Sequence, residues 1–241
     1  MTGYVHSFFS GGMVDGPGIR TVVFLSGCPL RCQYCHNPDT WEKTDGIPRT
    51  LDYVMDQVLK YRTYYKTTGG GVTISGGEPF TQPQFLLEIL RECKSRGLRT
   101  ALDTSGYTNI KTAEEVLQYV DLLLLDMKAY YPTSYKKLTG VDIQPTLDFL
   151  ELSRKMKIPT WIRYVLVPNL TDNINEIADL AKFLHNFDNI EKIDVLPFHN
   201  EGEHKWEQRG LEYQLTETQP PTEALLAEVK NIFLRASAPR T

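Results

Sequence analysis

The sequence predicts an α/β fold, an incomplete (β/α)6 TIM-like barrel with a parallel sheet and a lateral opening. Three observations predict it: short apolar segments rich in β-branched residues, a helix-period segment after each, and polar residues where the strands end. Six such units are too few to close an eight-unit barrel, so one side stays open. An open Rossmann-like sheet shares the same alternation, and periodicity does not fix curvature.

The first strand is expected over residues 19–26, a β-branched and aromatic run leading directly into cysteines. Residues 51–66 carry apolar side chains at helical spacing, with Thr50 and Asp52 suited to the first turn. Glycine-rich turns then enclose a second strand at 72–75. A helix marked by Phe85, Leu86, Ile89, Leu90 and Cys93 follows, and Gly97 stops it. Strand 99–103, helix 111–119, strand 121–126 and helix 145–156 continue the series. Strand 161–167, helix 173–185, strand 192–196 and helix 222–236 complete it. Asp103, Asp126 and the Pro197-Phe198-His199 segment fall at strand ends, which a parallel sheet brings to one side. Residues 200–221 have weak regularity and read as a loop lying across the opening or packed on the surface.

The chain has 241 residues, 41% of them apolar, enough for one domain spanning 1–241. With a formal charge of -4 and dispersed basic residues, it offers no track for nucleic acid. The N-terminal residues lack a signal-like pattern, and no apolar run reaches bilayer length, so no membrane partner and a location in the cytoplasm are expected.

Cys28, Cys32 and Cys35 crowd together while Cys93 stands alone. A disulfide within the group would strand a third thiol, so metal ligation is favoured. Three thiolates can hold three irons of a four-iron cube and leave the fourth open to another ligand. The alternative is a tetrahedral zinc site completed by His36, which the adjacency of Cys35 and His36 disfavours.

The C-x3-C-x2-C loop after the first strand and Gly76-Gly77-Glu78-Pro79 after the second resemble the radical S-adenosylmethionine superfamily. Asp15-Gly-Pro-Gly-Ile-Arg20, Cys35-His-Asn-Pro38, Leu102-Asp-Thr-Ser-Gly106, Trp161-Ile-Arg-Tyr164 and Lys205-Trp206 are similar to the glycyl-radical-enzyme activases within it. The resemblance covers nearly the whole chain. It implies a [4Fe-4S] cluster on Cys28, Cys32 and Cys35 that reductively cleaves S-adenosyl-L-methionine to a 5'-deoxyadenosyl radical. That radical would take hydrogen from a glycine of a partner, with formate C-acetyltransferase expected first. Another glycyl radical enzyme or a small molecule is the runner-up acceptor.

Within that resemblance, Gly76 and Gly77 let the backbone approach the cofactor, and Glu78 lies near its ammonium group. Asp103 and His199 match cofactor contacts, and Arg163 can fork onto the cofactor carboxylate. Lys128 is placed to attract a carboxylate or hydroxyl, and Tyr34 to stack on adenine. Asp103, Thr104, Asp126 and the Met127 backbone match a site for Na+ or K+. Asp15, Gly16, Gly18 and Arg20 are expected to receive the partner peptide, and Trp206 to grip the partner surface or to anchor internally. No auxiliary cluster motif is visible, so a flavodoxin or ferredoxin is the expected electron donor.

Overall fold

The computed structural model describes residues 1–236. Six parallel strands form as the periodicity predicts: β2 (Arg20–Leu25), β4 (Gly71–Gly76), β5 (Thr100–Thr104), β6 (Leu122–Asp126), β7 (Thr160–Leu166) and β8 (Ile190–Pro197). Two further strands, absent from the sequence reading, extend the sheet: β1 (Thr2–Gly12) and β3 (Ile47–Thr50). Both pair antiparallel, giving the order β3-β1-β2-β4-β5-β6-β7-β8. The end strands β3 and β8 do not pair with each other, so the sheet is an incomplete barrel with a lateral gap.

Along each parallel strand, alternate residues face opposite sides. Val23, Leu25, Val72, Ile74, Leu102, Leu123, Leu125 and Ile162 join the main core beneath the helices, all essentially inaccessible. The intervening residues face the barrel interior, where Ala101, Leu122 and Leu124 pack with Trp161 in a separate small cluster. Above them the same faces carry Ser75, Asp103, Asp126 and Arg163. The interior is therefore apolar in its middle and charged where the strands end.

The outer layer comprises α1 (Leu51–Leu59), α2 (Arg62–Thr68), α3 (Pro83–Ser95), α4 (Ile110–Leu117), α5 (Pro132–Thr139), α6 (Gln144–Lys155), α7 (Ile174–Leu184) and α9 (Glu223–Ala236). The helix expected over 51–66 is broken at Lys60–Tyr61. Tyr65 supports the break, its hydroxyl donating to the Val58 carbonyl at 2.8 Å beside a long 3.4 Å bond from Tyr61 N, and meeting Thr21 Oγ1 at 2.5 Å. A short helix, α8 (Glu203–Gln208), stands inside the stretch read as irregular. No helix among the described residues is long and apolar enough to cross a membrane.

Candidate functional site

A cavity of about 340 Å³ opens at the carboxyl ends of the parallel strands. This is where loops can carry function without disturbing the strand ladder. Cys28, Cys32 and Cys35 all line it, and all four cysteines of the chain are free thiols. Asp103, Asp126, Lys128 and Arg163 share the lining with them, as do Asp15 and His199.

The cysteine loop is held from two sides. From α5, the Thr139 carbonyl accepts from Arg31 N at 2.7 Å and the Leu138 carbonyl from Gln33 N at 3.1 Å. From α8, Trp206 Nε1 donates to the Cys35 carbonyl at 2.9 Å, and Lys205 Nζ reaches Asn37 Oδ1 at 2.7 Å. Burial pushes all three thiols up, Cys32 to about 12, so without a metal they are neutral. A metal must then displace their protons on binding.

Asp103 and Asp126 each pair with one cation. Asp103 Oδ2 accepts from Arg163 at 3.0 Å and from Ser75 Oγ at 2.7 Å, while Asp126 Oδ2 takes Lys128 Nζ at 2.7 Å. Asp103 holds the Arg163 guanidinium firmly charged against the cost of burial. Burial pulls Lys128 down, but Asp126, Tyr34 and Cys32 together outweigh it and the net shift is upward. The Lys128 ammonium lies 5.7 Å from the centre of the Tyr34 ring. Two polar atoms here are buried without a partner, Asp103 Oδ1 and the Tyr34 hydroxyl. Such orphans are costly unless a bound group satisfies them.

Gly76 and Gly77 line the cavity, and the backbone explains why glycine stands there. Gly76 has φ +129°, and a Cβ on it would fall 2.1 Å from the Leu25 carbonyl oxygen of the neighbouring strand. Glu78 departs from expectation: it is 1% exposed and does not line the cavity. Its carboxylate accepts from Phe80 N, Thr104 Oγ1, Ser105 N and Ser105 Oγ. The side chain thus ties the Gly76-Gly77 turn to the end of β5.

Of the residues matched to a Na+ or K+ site, the side chains have partners within the protein. Asp103 and Asp126 hold Arg163 and Lys128, Thr104 Oγ1 is donated to Glu78, and Met127 is buried with its N–H on the Arg163 carbonyl. Among the described residues, no three His, Cys, Asp or Glu side chains converge as a single ion requires. The tetrahedral zinc alternative is likewise not assembled. A four-iron cube has a different requirement, since each thiolate meets its own iron and the three cysteines stay apart.

Two residues named for partner contact are buried within the chain. Arg20 is 1% exposed, and its guanidinium donates to Thr73 Oγ1 and to the Val72, Arg99 and Pro17 carbonyls. It braces the barrel interior and has no surface to offer. Trp206 is buried, packed between Trp41 at 5.0 Å and Tyr213 at 5.3 Å, so it is the internal anchor and not a surface grip. Gly18 has φ +70° and passes so close to Gly70 that a Cβ would lie 2.4 Å from its nitrogen. Gly16, at φ +119°, packs on the Arg20 side chain. Of that group only Asp15 faces the cavity.

His199 reaches the rim, its ring 4.7 Å from that of His36. Burial and then His199 pull the His36 imidazolium down. Ser75, Ser105 and Trp41 also line the cavity and were not singled out from sequence. Ser75 was legible in principle, since it sits two residues from Thr73 on the inward face of β4.

A model of the Radical SAM superfamily matches residues 22–184. The pyruvate formate-lyase-activating enzyme of Clostridium pasteurianum is 46% identical over 213 residues, covering 88% of this chain and 89% of that protein. The pyruvate formate-lyase 1-activating enzyme of Escherichia coli K12 is 40% identical over 233 residues, covering 96% and 95%. Among solved structures, a domain of pyruvate-formate lyase-activating enzyme from Bacteroides vulgatus is 28% identical, with TM-score 0.59, covering 70% of this chain and 95% of that one. A radical SAM methyltransferase from Sphaerobacter thermophilus shares the fold over 99% of this chain and 76% of its own, at 15% identity and TM-score 0.66. With three free thiols on the cavity wall and matches of this extent, the chain belongs to the radical SAM superfamily, among the pyruvate formate-lyase-activating enzymes.

Proposed function

We propose that this protein activates formate C-acetyltransferase by removing hydrogen from one of its glycines. The observation that carries the reading is the convergence of three unpaired thiols with buried, partnerless polar atoms on one cavity at the strand ends. Cys28, Cys32 and Cys35 would hold a [4Fe-4S] cluster. When bound, that cluster supplies one electron to S-adenosyl-L-methionine, whose carbon-sulfur bond opens to a 5'-deoxyadenosyl radical.

The remaining work falls to the chain's own residues. Arg163, charged and with one N–H on Asp103, presents further donors to a carboxylate. Asp103 Oδ1, buried and without a partner, is positioned to accept from an ammonium or to meet a cation. Lys128, beside Cys32 and Tyr34, places positive charge where anionic sulfur collects. Tyr34 offers a ring face to a flat heterocycle, and His199 stands at the rim toward solvent. The barrel walls limit water at the reacting centre, which protects a carbon radical. A flavodoxin or ferredoxin would deliver the electron, in the cytoplasm.

Anaerobic electron paramagnetic resonance tests the reading. The reduced, reconstituted protein should give a cluster signal that changes on adding S-adenosyl-L-methionine. Adding formate C-acetyltransferase should then produce an organic radical on that partner's glycine. A cluster signal indifferent to the cofactor would sink the chemistry; a radical formed only on another protein or a small molecule would sink the choice of acceptor.

A further inference from the structure

We propose that the free edge of β8 takes up an extended segment of the partner as an added strand, and that this strand leads the partner's glycine to the reaction cavity. The proposal rests on the reading that this protein acts on a glycine of another chain. β8 is the last strand of the sheet and borders its lateral gap. Along it lies a groove of about 650 Å³, lined by Ile193 and Val195 of the strand, Leu184 and Phe187 at the end of α7, and Phe233 and Leu234 of α9. Leu234 is 67% exposed, an apolar side chain left in water beside the groove. On the strand the groove's lining ends at Val195, and the lining of the reaction cavity begins at Leu196.

The backbone of β8 has groups to offer on that side. In a parallel pair each residue turns its N–H and C=O the same way, and alternate residues turn opposite ways. Phe198 N, just past β8, donates to the Leu166 carbonyl of β7 at 3.1 Å. Counting back by twos in the register of that pair, Leu196 and Asp194 face β7, whereas Val195 and Ile193 turn their N–H and C=O away from it. Among the described residues, no hydrogen bond reaches those outward groups. The next position in the outward row is Pro197, which has no N–H, so the row of donors stops where the cavity starts.

An edge of this kind suits a glycine substrate. Glycine has no side chain to grip, so its Cα is placed through the backbone on either side of it. An added strand aligns that backbone by main-chain hydrogen bonds, and a groove beside the edge receives alternate side chains. Once past Val195 the segment loses its ladder and continues over Pro197 and His199 into the cavity. The other edge of the sheet is blunted, because β3 has four residues and contains Pro48, whereas β8 has eight residues.

The test is anaerobic hydrogen exchange, resolved to single amides by mass spectrometry, on the reconstituted holoenzyme with S-adenosyl-L-methionine, with and without formate C-acetyltransferase. Adding that partner should slow exchange at Ile193 and Val195 about tenfold and leave Asp194 and Leu196, whose N–H groups β7 holds, as they were. Reduction of the same samples then shows whether a glycyl radical forms on the partner. A radical without slowing at Ile193 and Val195 overturns this proposal alone; neither radical nor slowing overturns it together with the wider reading. Outward amides that are already as slow without the partner would mean that the edge is occupied from within the chain, which also overturns it. Ile193→Pro deletes one outward donor and keeps the bonds to β7, and should raise the KM for the partner several-fold. An unchanged KM in that variant counts against the added strand, and if the variant does not fold, exchange in the wild type decides.

Discussion

Arg20 keeps its charge in a place where few side chains do. Burial lowers its guanidinium to about 10, still well above neutrality, because a planar fork of donors finds four oxygens around it. Removing it takes a 2.7 Å donor from the Val72 carbonyl and another from Thr73 Oγ1 in the barrel interior. Arg20→Ala should therefore lower stability by about 3 kcal/mol, read by urea denaturation of the metal-free protein. Unchanged stability with lost partner activation would instead favour the partner-peptide role expected from the sequence. Asp15 makes an opposite kind of prediction. Burial raises its carboxyl first, then the charge of Asp103, against smaller opposing effects of Arg163 and Arg20. A carboxyl with a raised folded pKa binds its proton more tightly folded than unfolded. Its contribution is thus fully present below the ordinary value of 3.8 and is lost as pH rises through the folded value. Asp15→Asn, which cannot ionise, should be more stable than wild type at neutral pH, and the difference should vanish as pH falls toward 4. A urea-midpoint difference that is flat with pH would refute this account of Asp15.

At the scale of elements, α5 behaves as a strut between α7 and the cysteine loop. Glu176 of α7 accepts from Tyr130 N and Tyr131 N at 2.8 Å each and from Ser134 Oγ at 2.8 Å, satisfying the start of α5. The far end gives its last carbonyls to Arg31 and Gln33. Glu176→Ala should therefore loosen a loop it does not touch. Hydrogen exchange at the Arg31 and Gln33 amides should quicken about tenfold, equivalent to about 1.4 kcal/mol, in the metal-free protein. Glu176→Gln keeps a carbonyl acceptor and should stay near wild type; equal effects from both variants would mean the strut does not transmit. This element was illegible by period alone, because eight residues place only Tyr135, Leu138 and Thr139 inward. Its punctuation was readable, with Pro132 at the first position and Gly140 at φ +80° past the end. The missed β1 has another cause. Its glycines and two register shifts against β2 blur any alternation, so pairing with a neighbour, not local preference, makes it a strand.

Across the whole molecule, the six parallel strands were legible because each carries a dense β-branched or leucine run, whereas curvature is set by strand pairing and leaves no local trace. The cavity's chemistry was legible at the cysteines and at Asp103, Asp126 and Arg163, where charge interrupts an apolar alternation. The internal bonding of Glu78 and Arg20 was not legible, since a charged residue braced internally reads like one aimed at a ligand. From the turn between β1 and β2, Asp15 reaches the cavity. Immediately before Asp15 in that turn, Met13 is 78% exposed and Val14 is 73% exposed. Adjacent large apolar side chains held in water beside a reaction cavity suit the anchor of an interface. Met13→Glu combined with Val14→Glu should thus leave urea stability and the cofactor-shifted resonance signal as in wild type, because neither side chain lines the cavity. With formate C-acetyltransferase as the proposed partner, its KM should rise about tenfold, the cost of about 1.4 kcal/mol of lost contact at this turn. An unchanged KM would mean that the partner's glycine enters without touching this turn, and the opening would then have to be approached from the β8 side alone.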